Sequence, residues 1–239
     1  MDDLPEITIL TPVYERNNFL MLYLTGILGQ DYPKEKIRIL IHECQSNNPF
    51  MPDIGSVRRQ ISPVQITNHI NVSGKMSIGQ KRNWLAKNCE TEYFAFFDSD
   101  DIYLPTALLH SVGGLMKSGR GFAGSPQMIF VYPLKDFQTR MINCGDDPHM
   151  IHEATICSTK SFFKKHKLRF GNTSQGESEH LLDHVPNAEI LLTNCAYLML
   201  CLCHDDNTIS KDMFLNKKYT VETNFDDFMK SQILSIFKD

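Results

Sequence analysis

The 239-residue chain has no excess of positive charge. Lys plus Arg is 24 against 28 for Asp plus Glu, a formal net charge of −4 with a pI near 6.1. A protein that grips duplex nucleic acid by neutralising many phosphates is therefore excluded. Long apolar runs are also missing: the longest, residues 195–203 (CAYLMLCLC), falls far short of the ~18 residues a membrane-spanning helix needs and reads as a buried strand. Low-complexity tracts and a collagen period are absent. The seven cysteines are odd in number and follow no pairing rhythm, which argues against a disulfide framework. Cys201-x-Cys203 has no second pair at zinc-site spacing, so these read as buried strand thiols. The opening Met-Asp-Asp-Leu-Pro lacks a basic-then-apolar signal layout, and with the unpaired thiols it predicts a cytoplasmic protein. With 42% hydrophobic and 22% charged residues, the chain has ordinary globular composition and can bury a core.

Residues 7–13 form a short β-branched run, as a buried parallel strand does. A helix is predicted over 19–30 and a second strand over 37–41, making a βαβ unit with a right-handed crossover. Further along, the pattern predicts strands at 64–67 and 93–97 and helices at 77–89 and 105–117, the last with Pro105 in its first turn. Beyond residue 117 the regular alternation stops. Short strands at 128–132, 139–143 and 195–203, helices at 158–167 and 179–184, and an amphipathic helix at 224–237 suggest a mixed sheet. One α/β domain results: a first half over residues 1–117, a second half over 118–211 and a helical tail over 212–239.

In open α/β sheets, ligands bind beyond the carboxyl ends of the strands. Three features meet there: Thr11-Pro12-Val13-Tyr14, Glu43, and Asp98-Ser99-Asp100-Asp101. Three carboxylates within four residues repel one another unless a cation sits among them. Hard oxygen ligands suit Mg²⁺ or Mn²⁺, which share their coordination with substrate phosphates. The alternative is a helix cap, which needs only one carboxylate.

Thr-Pro-Val-Tyr after the first strand, Ser77-Ile-Gly-Gln-Lys-Arg-Asn83 opening a helix, and Phe97-Asp-Ser-Asp-Asp-Ile-Tyr-Leu-Pro105, in that order, resemble glycosyltransferase family 2. Its members have the GT-A fold, a Rossmann-like mixed sheet flanked by helices with a nucleotide-binding half and an acceptor-binding half. The likeness is strong over residues 6–117 and weaker out to about 211. The Gly-x-Lys-Arg-Asn element and His204-x-x-Asn-Thr are most similar to members encoded by large DNA viruses, including those that glycosylate capsids, which would place the protein in the host cytoplasm.

The resemblance implies a metal-dependent, inverting, hexosyltransferase-type enzyme that moves a sugar from a nucleotide-diphosphate donor, most often a UDP-sugar, to a glycan, protein-linked or lipid-linked hydroxyl. By position, Thr11, Pro12 and Tyr14 line the base and ribose pocket, Glu43 accepts from the base, and Asp98 with Ser99 meets the ribose. Cys44 departs from the family's second aspartate there. Asp100, with Asp98 and His204, holds Mn²⁺ or Mg²⁺. Lys81 and Arg82 offer charge to the nucleotide or diphosphate, with a solvated helix face as the plain alternative. Lys211 reaches for the diphosphate. Glu177 or Glu179 is the base that deprotonates the acceptor; the other reading makes them first-turn carboxylates on a helix dipole. The basic stretch 164–167 reads as a solvated helix end or a contact with an anionic membrane. Two other functions compete: a non-catalytic nucleotide-sugar-binding module, and a sugar-1-phosphate nucleotidyltransferase, which would show a Gly-rich loop where Pro12 to Asn17 has no glycine.

Overall fold

Alternating burial along the first strand fixes which layers form. In β1 (Ile7–Val13), Ile7 and Ile9 enter one apolar core and Leu10 enters a second on the other face, as the two-residue repeat of a strand requires. The computed structural model describes residues 3–237 apart from 206, 209, 217–219, 222 and 224.

After β1, a 3₁₀ turn (Asn17–Phe19) leads into α1 (Leu20–Leu28), then β2 (Ile37–Cys44). Helix α2 (Ile54–Ile61) follows, capped by Asp53, which accepts from the Ser56 N–H at 3.0 Å. Next come β3 (Gln65–Asn71), α3 (Ile78–Asn88), β4 (Tyr93–Phe96), the two-residue β5 (Ile102–Tyr103) and α4 (Ala107–Ser118). The second half holds β6 (Phe122–Gly124), β7 (Gln127–Tyr132), β8 (Gln138–Asn143), β9 (Cys157–Thr159), α5 (Lys160–Lys165), β10 (Ile190–Leu192), β11 (Met199–Leu202) and α6 (Asp227–Ser235).

The main sheet has seven strands in the order β10-β6-β9-β4-β1-β2-β3, and a four-stranded sheet runs β5-β11-β7-β8. Within the main sheet β1, β2, β3 and β4 are mutually parallel, whereas β9 lies antiparallel between β4 and β6. The sheet thus crosses the expected boundary at residue 117. Helices α1 and α4 cover the face of Ile7 and Ile9. Helices α3 and α5, with Phe170, cover the face of Leu10.

The mixed sheet flanked by helices is as expected, but several elements differ. Only 160–165 of the expected 158–167 helix is helical, because Ser158 and Thr159 belong to β9. Thr159 ends the strand and caps the helix, accepting from the Phe162 N–H at 3.2 Å. The helix expected at 179–184 does not form. Gly176 is left-handed at φ +63°, and the segment makes i→i−3 bonds such as Leu181 N–H to Ser178 C=O, while Leu181 and Leu182 plug the second core. The expected strand 195–203 opens as a 3₁₀ turn capped by Asn194 and is extended only from Met199. The expected start of the last helix, Asn224, lies outside the described residues, and the helix begins at Asp227. Among the described residues no helix is long and apolar enough to cross a membrane. All seven cysteines are unpaired.

The amino end of α3 docks on the loop at 170–177. Ser77 and Gln80 close a capping box there, and Asn83 brackets Phe170, accepting from its N–H at 2.9 Å and donating to its C=O at 2.8 Å. Gly79 donates its N–H to Thr173 C=O at 2.9 Å, and a Cβ on it would lie 1.8 Å from the Gly171 carbonyl oxygen. On the far side of α3, Trp84 stacks on His69 with ring centroids 4.3 Å apart and meets His42 edge-on at 4.7 Å. His42 and His69 are register partners on β2 and β3.

Two predictions follow from this packing. Gly79→Ala forces backbone apart and is expected to cost about 3 kcal/mol or more, the upper range for overpacking, measured by urea unfolding. His42 is 1% exposed, and burial, helped by His69 and Lys81, pushes its pKa down to about 4 from 6.5. Between those values the unfolded chain binds more protons at this site than the folded one. Stability is therefore expected to fall as pH drops through that window, by at most about 1.4 kcal/mol per pH unit, and His42→Phe to flatten the slope seen by circular dichroism.

Candidate active site

At the carboxyl ends of β1 and β4 opens a cavity of about 490 Å³, whose wall includes Pro12, Tyr14, Arg16, Lys75, Lys81, Arg82, Asp98, Ser99, Asp100, Glu153, Glu177 and Lys211. Both signs of charge crowd this wall, so each carboxylate is defined by the cation it meets.

Arg82 projects from α3 and is 2% exposed. Its Nη2 donates to both Asp98 oxygens at 2.9 and 3.1 Å, and its Nε donates to Glu177 Oε1 at 3.3 Å. Burial opposes the guanidinium charge, yet Asp98, Glu177 and Glu153 together hold it above its ordinary pKa. Burial raises the Glu177 carboxyl and Arg82 lowers it only in part. The Asp98 backbone N–H donates to Tyr103 Oη at 2.7 Å, and Tyr103 stacks on Phe97 at 3.6 Å.

Asp100 faces a different cation. Arg16 Nε donates to its Oδ2 at 2.9 Å, and His204 Nε2 stands 3.4 Å from the same oxygen. Burial alone would raise Asp100, but His204 and Arg16 overrule it and hold the carboxyl at about 2. It is a carboxylate at neutral pH, the form a cation binds. Arg16 arrives because Glu15 turns the chain at φ +51°, a conformation that costs a non-glycine residue about 1–3 kcal/mol. Asp101 is buried and accepts from the Leu202 N–H at 3.0 Å, tying β11 to the acidic turn.

Tyr14 carries Lys75 Nζ 4.2 Å and Lys81 Nζ 5.4 Å from its ring centre. Lys81 is 2% exposed, its pKa lowered by burial, and it donates to Val13 C=O at 2.6 Å. It therefore staples α3 to the end of β1 while its charge stays at the wall.

Of the residues singled out from sequence, Pro12, Tyr14, Lys81, Arg82, Asp98, Ser99, Asp100 and Glu177 meet at the cavity. Thr11, Glu43 and His204 do not; His204 lies buried behind Asp100, with Asn207 Nδ2 3.0 Å from its Nε2. Thr11 is fully buried against the Tyr23 hydroxyl at 2.6 Å. Glu43 is 1% exposed and accepts from the Phe50 N–H at 2.6 Å and Asn68 Nδ2 at 3.0 Å, which occupies both oxygens and makes it a buried clamp. Glu179 is exposed and off the wall. Asp98, expected to share a metal with Asp100, gives both oxygens to Arg82. The basic stretch at 164–167 is elsewhere, with Lys165 and His166 paired to Glu189 at 2.5 and 3.0 Å. Sequence reasoning missed Arg16, Lys75 and Glu153. Arg16 had a signal, since it lies three residues beyond the end of β1, on the side of the sheet where the acidic turn stands; Glu153 had none.

A carboxylate oxygen and an imidazole nitrogen converging beside an open cavity suit Mn²⁺ or Mg²⁺, ions that complete their shells with phosphate oxygens and water. Among the described residues no group of three or more His, Cys, Asp or Glu gathers as a metal cage, so substrate oxygens would have to supply the remaining ligands.

Removing the guanidinium tests the cluster. Arg82→Met leaves the buried Glu177 and the part-exposed Asp98 without their cation and is expected to cost about 3 kcal/mol near neutrality, the low end for a broken buried pair. The loss should shrink as pH falls and the acids, both raised by burial, protonate, as read from denaturant midpoints across pH.

No protein-family model matches the chain, and no curated protein matches it in sequence. Solved structures do match. S. aureus TarS in complex with UDP-GlcNAc aligns with TM-score 0.64 and 14% identity over 97% of this chain and 71% of that one. TarS in complex with UDP gives 0.62 and 16% over 97% and 70%. A mannosyltransferase from Pyrobaculum calidifontis in complex with GDP-Man and Mn²⁺ gives 0.57 and 15% over 88% and 59%. This chain spans 60% of another TarS chain and 42% of a longer one. At these identities the likeness is one of architecture, and together with the seven-stranded mixed sheet it shows that the chain has the GT-A glycosyltransferase fold.

Proposed function

We propose that the protein is a metal-dependent, inverting glycosyltransferase that moves a hexose from a nucleotide-diphosphate donor, most simply a UDP-sugar, to a hydroxyl of a glycan, protein-linked or lipid-linked acceptor. The observation that carries this reading is an ionised Asp100 on the wall of a cavity that also holds Lys75, Lys81 and Lys211, with the buried His204 paired behind it. An anionic diphosphate is recognised by such a set of cations.

In this reading Tyr14 packs on the base and Asp98 with Ser99 lies toward the ribose. Lys75 and Lys211 face the diphosphate, and Lys81 adds its charge behind Tyr14. Asp100 and His204 would hold a divalent ion, which would supply positive charge to the departing diphosphate. Arg82 bridges Asp98 and Glu177 and favours their charged forms against burial, so the wall keeps its shape as charge moves. The acceptor oxygen displaces the diphosphate in line, and its proton passes to a carboxylate of the second half, where Glu177 and Glu153 reach the cavity. The family 2 resemblance, the neighbours' complexes with UDP-GlcNAc and GDP-Man and the unpaired thiols support a nucleotide-sugar enzyme working in the cytoplasm. The likeness to large-DNA-virus members rests on residues 79–83 and 204–208.

Thermal unfolding with UDP-GlcNAc, UDP and GDP-mannose, each with and without Mn²⁺, tests the donor site. A ligand at about 100 times its dissociation constant adds about 2.7 kcal/mol, and the shift is expected for one nucleotide class and only with metal. Asp100→Asn should abolish the metal-dependent part. A shift in no combination would sink the donor assignment, and binding without release of nucleoside diphosphate would favour the non-catalytic module.

A further inference from the structure

Arg82 is one cation feeling three carboxylates: Asp98, Glu177 and Glu153. Asp98 takes two of its hydrogen bonds and Glu177 one. Glu153 makes no hydrogen bond or ion pair with it: among the described residues its carboxylate has a single hydrogen-bond partner, Ser178 Oγ, which donates to Oε1 at 2.5 Å. Three negative charges against one positive leave the cluster at −2, and of the three carboxylates Glu153 is the one that makes no hydrogen bond to the guanidinium.

That carboxylate is also at the cavity and rigidly placed. Glu153 lines the wall on a 3₁₀ turn, Glu153–Thr155. The turn is fixed by Tyr103 Oη donating to Ala154 C=O at 3.2 Å, the same hydroxyl that receives the Asp98 N–H. It is fixed again by Thr155 Oγ1, which accepts from the Ser125 N–H at 2.9 Å. Glu153 and the acidic turn of Asp98 therefore share one anchor. A base that takes a proton from an acceptor needs charge, access and a free lone pair. Glu177 is 6% exposed with Oε1 on Arg82, and Glu179 lies off the wall.

We infer that Glu153 is the general base of the transfer, held by Ser178 as a positioning residue; this rests on the donor-site reading above. As the acceptor oxygen bonds to the anomeric carbon, its proton passes to a Glu153 oxygen. The bond from that carbon to the diphosphate oxygen breaks, and its electron pair leaves with the diphosphate. Glu153 then returns the proton to solvent.

Water serves as the acceptor in the test. The parent protein is incubated with UDP-GlcNAc or GDP-mannose and Mn²⁺, and release of nucleoside diphosphate is followed. Glu153→Gln is expected to lower kcat at least about 100-fold while the donor KM and donor-induced thermal shift stay within twofold. Azide, a nucleophile with no proton to surrender, should restore turnover to Glu153→Gln as a glycosyl azide. Ser178→Ala should lose roughly tenfold in kcat with KM unchanged. Glu153→Asp keeps the charge and decides the matter should the amide variant not fold; it is expected to lose about tenfold in kcat alone. Turnover of Glu153→Gln or Glu153→Asp within threefold of the parent overturns the assignment. So does a loss of donor binding, or a loss that azide leaves unrepaired. A parent protein that releases diphosphate from neither donor overturns the donor reading, and this assignment with it.

Discussion

A guanidinium held out of water between two halves of the chain is the constraint on which the rest of this molecule depends. Arg82 cannot shed its proton, and a charge at that depth persists only where carboxylates answer it. Asp98 answers from the end of β4 and Glu177 from the loop at 170–177. The two contacts join segments that the chain separates by many residues, and they close one side of the cavity. The charge does not make the protein stable for its own sake, since an apolar group of equal shape would cost less to bury. It fixes which carboxylates are paired with the guanidinium and which is not.

Helix α3 is the joint through which that constraint acts, and its residues divide the work by position. Gly79 lets the backbone of the second half approach to a distance no side chain would permit. Lys81 ties the helix to the end of β1, and Asn83 holds Phe170 by both its amide groups. Residues that look like a single binding motif in sequence are thus a hinge pin, a staple, an ion and a bracket. Only some of them reach the cavity.

The βαβ core was legible because its signals are local: an uninterrupted β-branched run at Ile7–Val13, a turn at residues 31–33, a hydrophobic strand entering Asp98. The acidic turn was legible because three carboxylates in four residues need an explanation wherever they stand. Glu43 was misread since its partners, the Phe50 N–H and Asn68, are visible only once β2 and β3 lie side by side. Glu153 carries no pattern of its own; only the fold brings it beside Arg82 without a bond to the guanidinium. The 179–184 segment has helical composition, but the left-handed Gly176 and the demand to plug a core with Leu181 and Leu182 outweighed propensity. Helix α2 had a readable cap in Asp53 with Val57 and Ile61 one turn apart, and the short length hid it.

The antiparallel strand β9 has a consequence for how the chain is made. It lies between β4 and β6, so during synthesis β4 has β1 beside it long before its other neighbour leaves the ribosome. Phe94 and Phe96 must wait for Phe163 and Phe170 to cover them. Arg82 finds Asp98 16 positions along the chain but Glu177 only 95 positions along. Non-local pairings of this kind fold slowly and expose apolar surface while they wait. Until the second half follows, the nascent first half carries an uncovered apolar sheet face and a guanidinium answered by Asp98 alone.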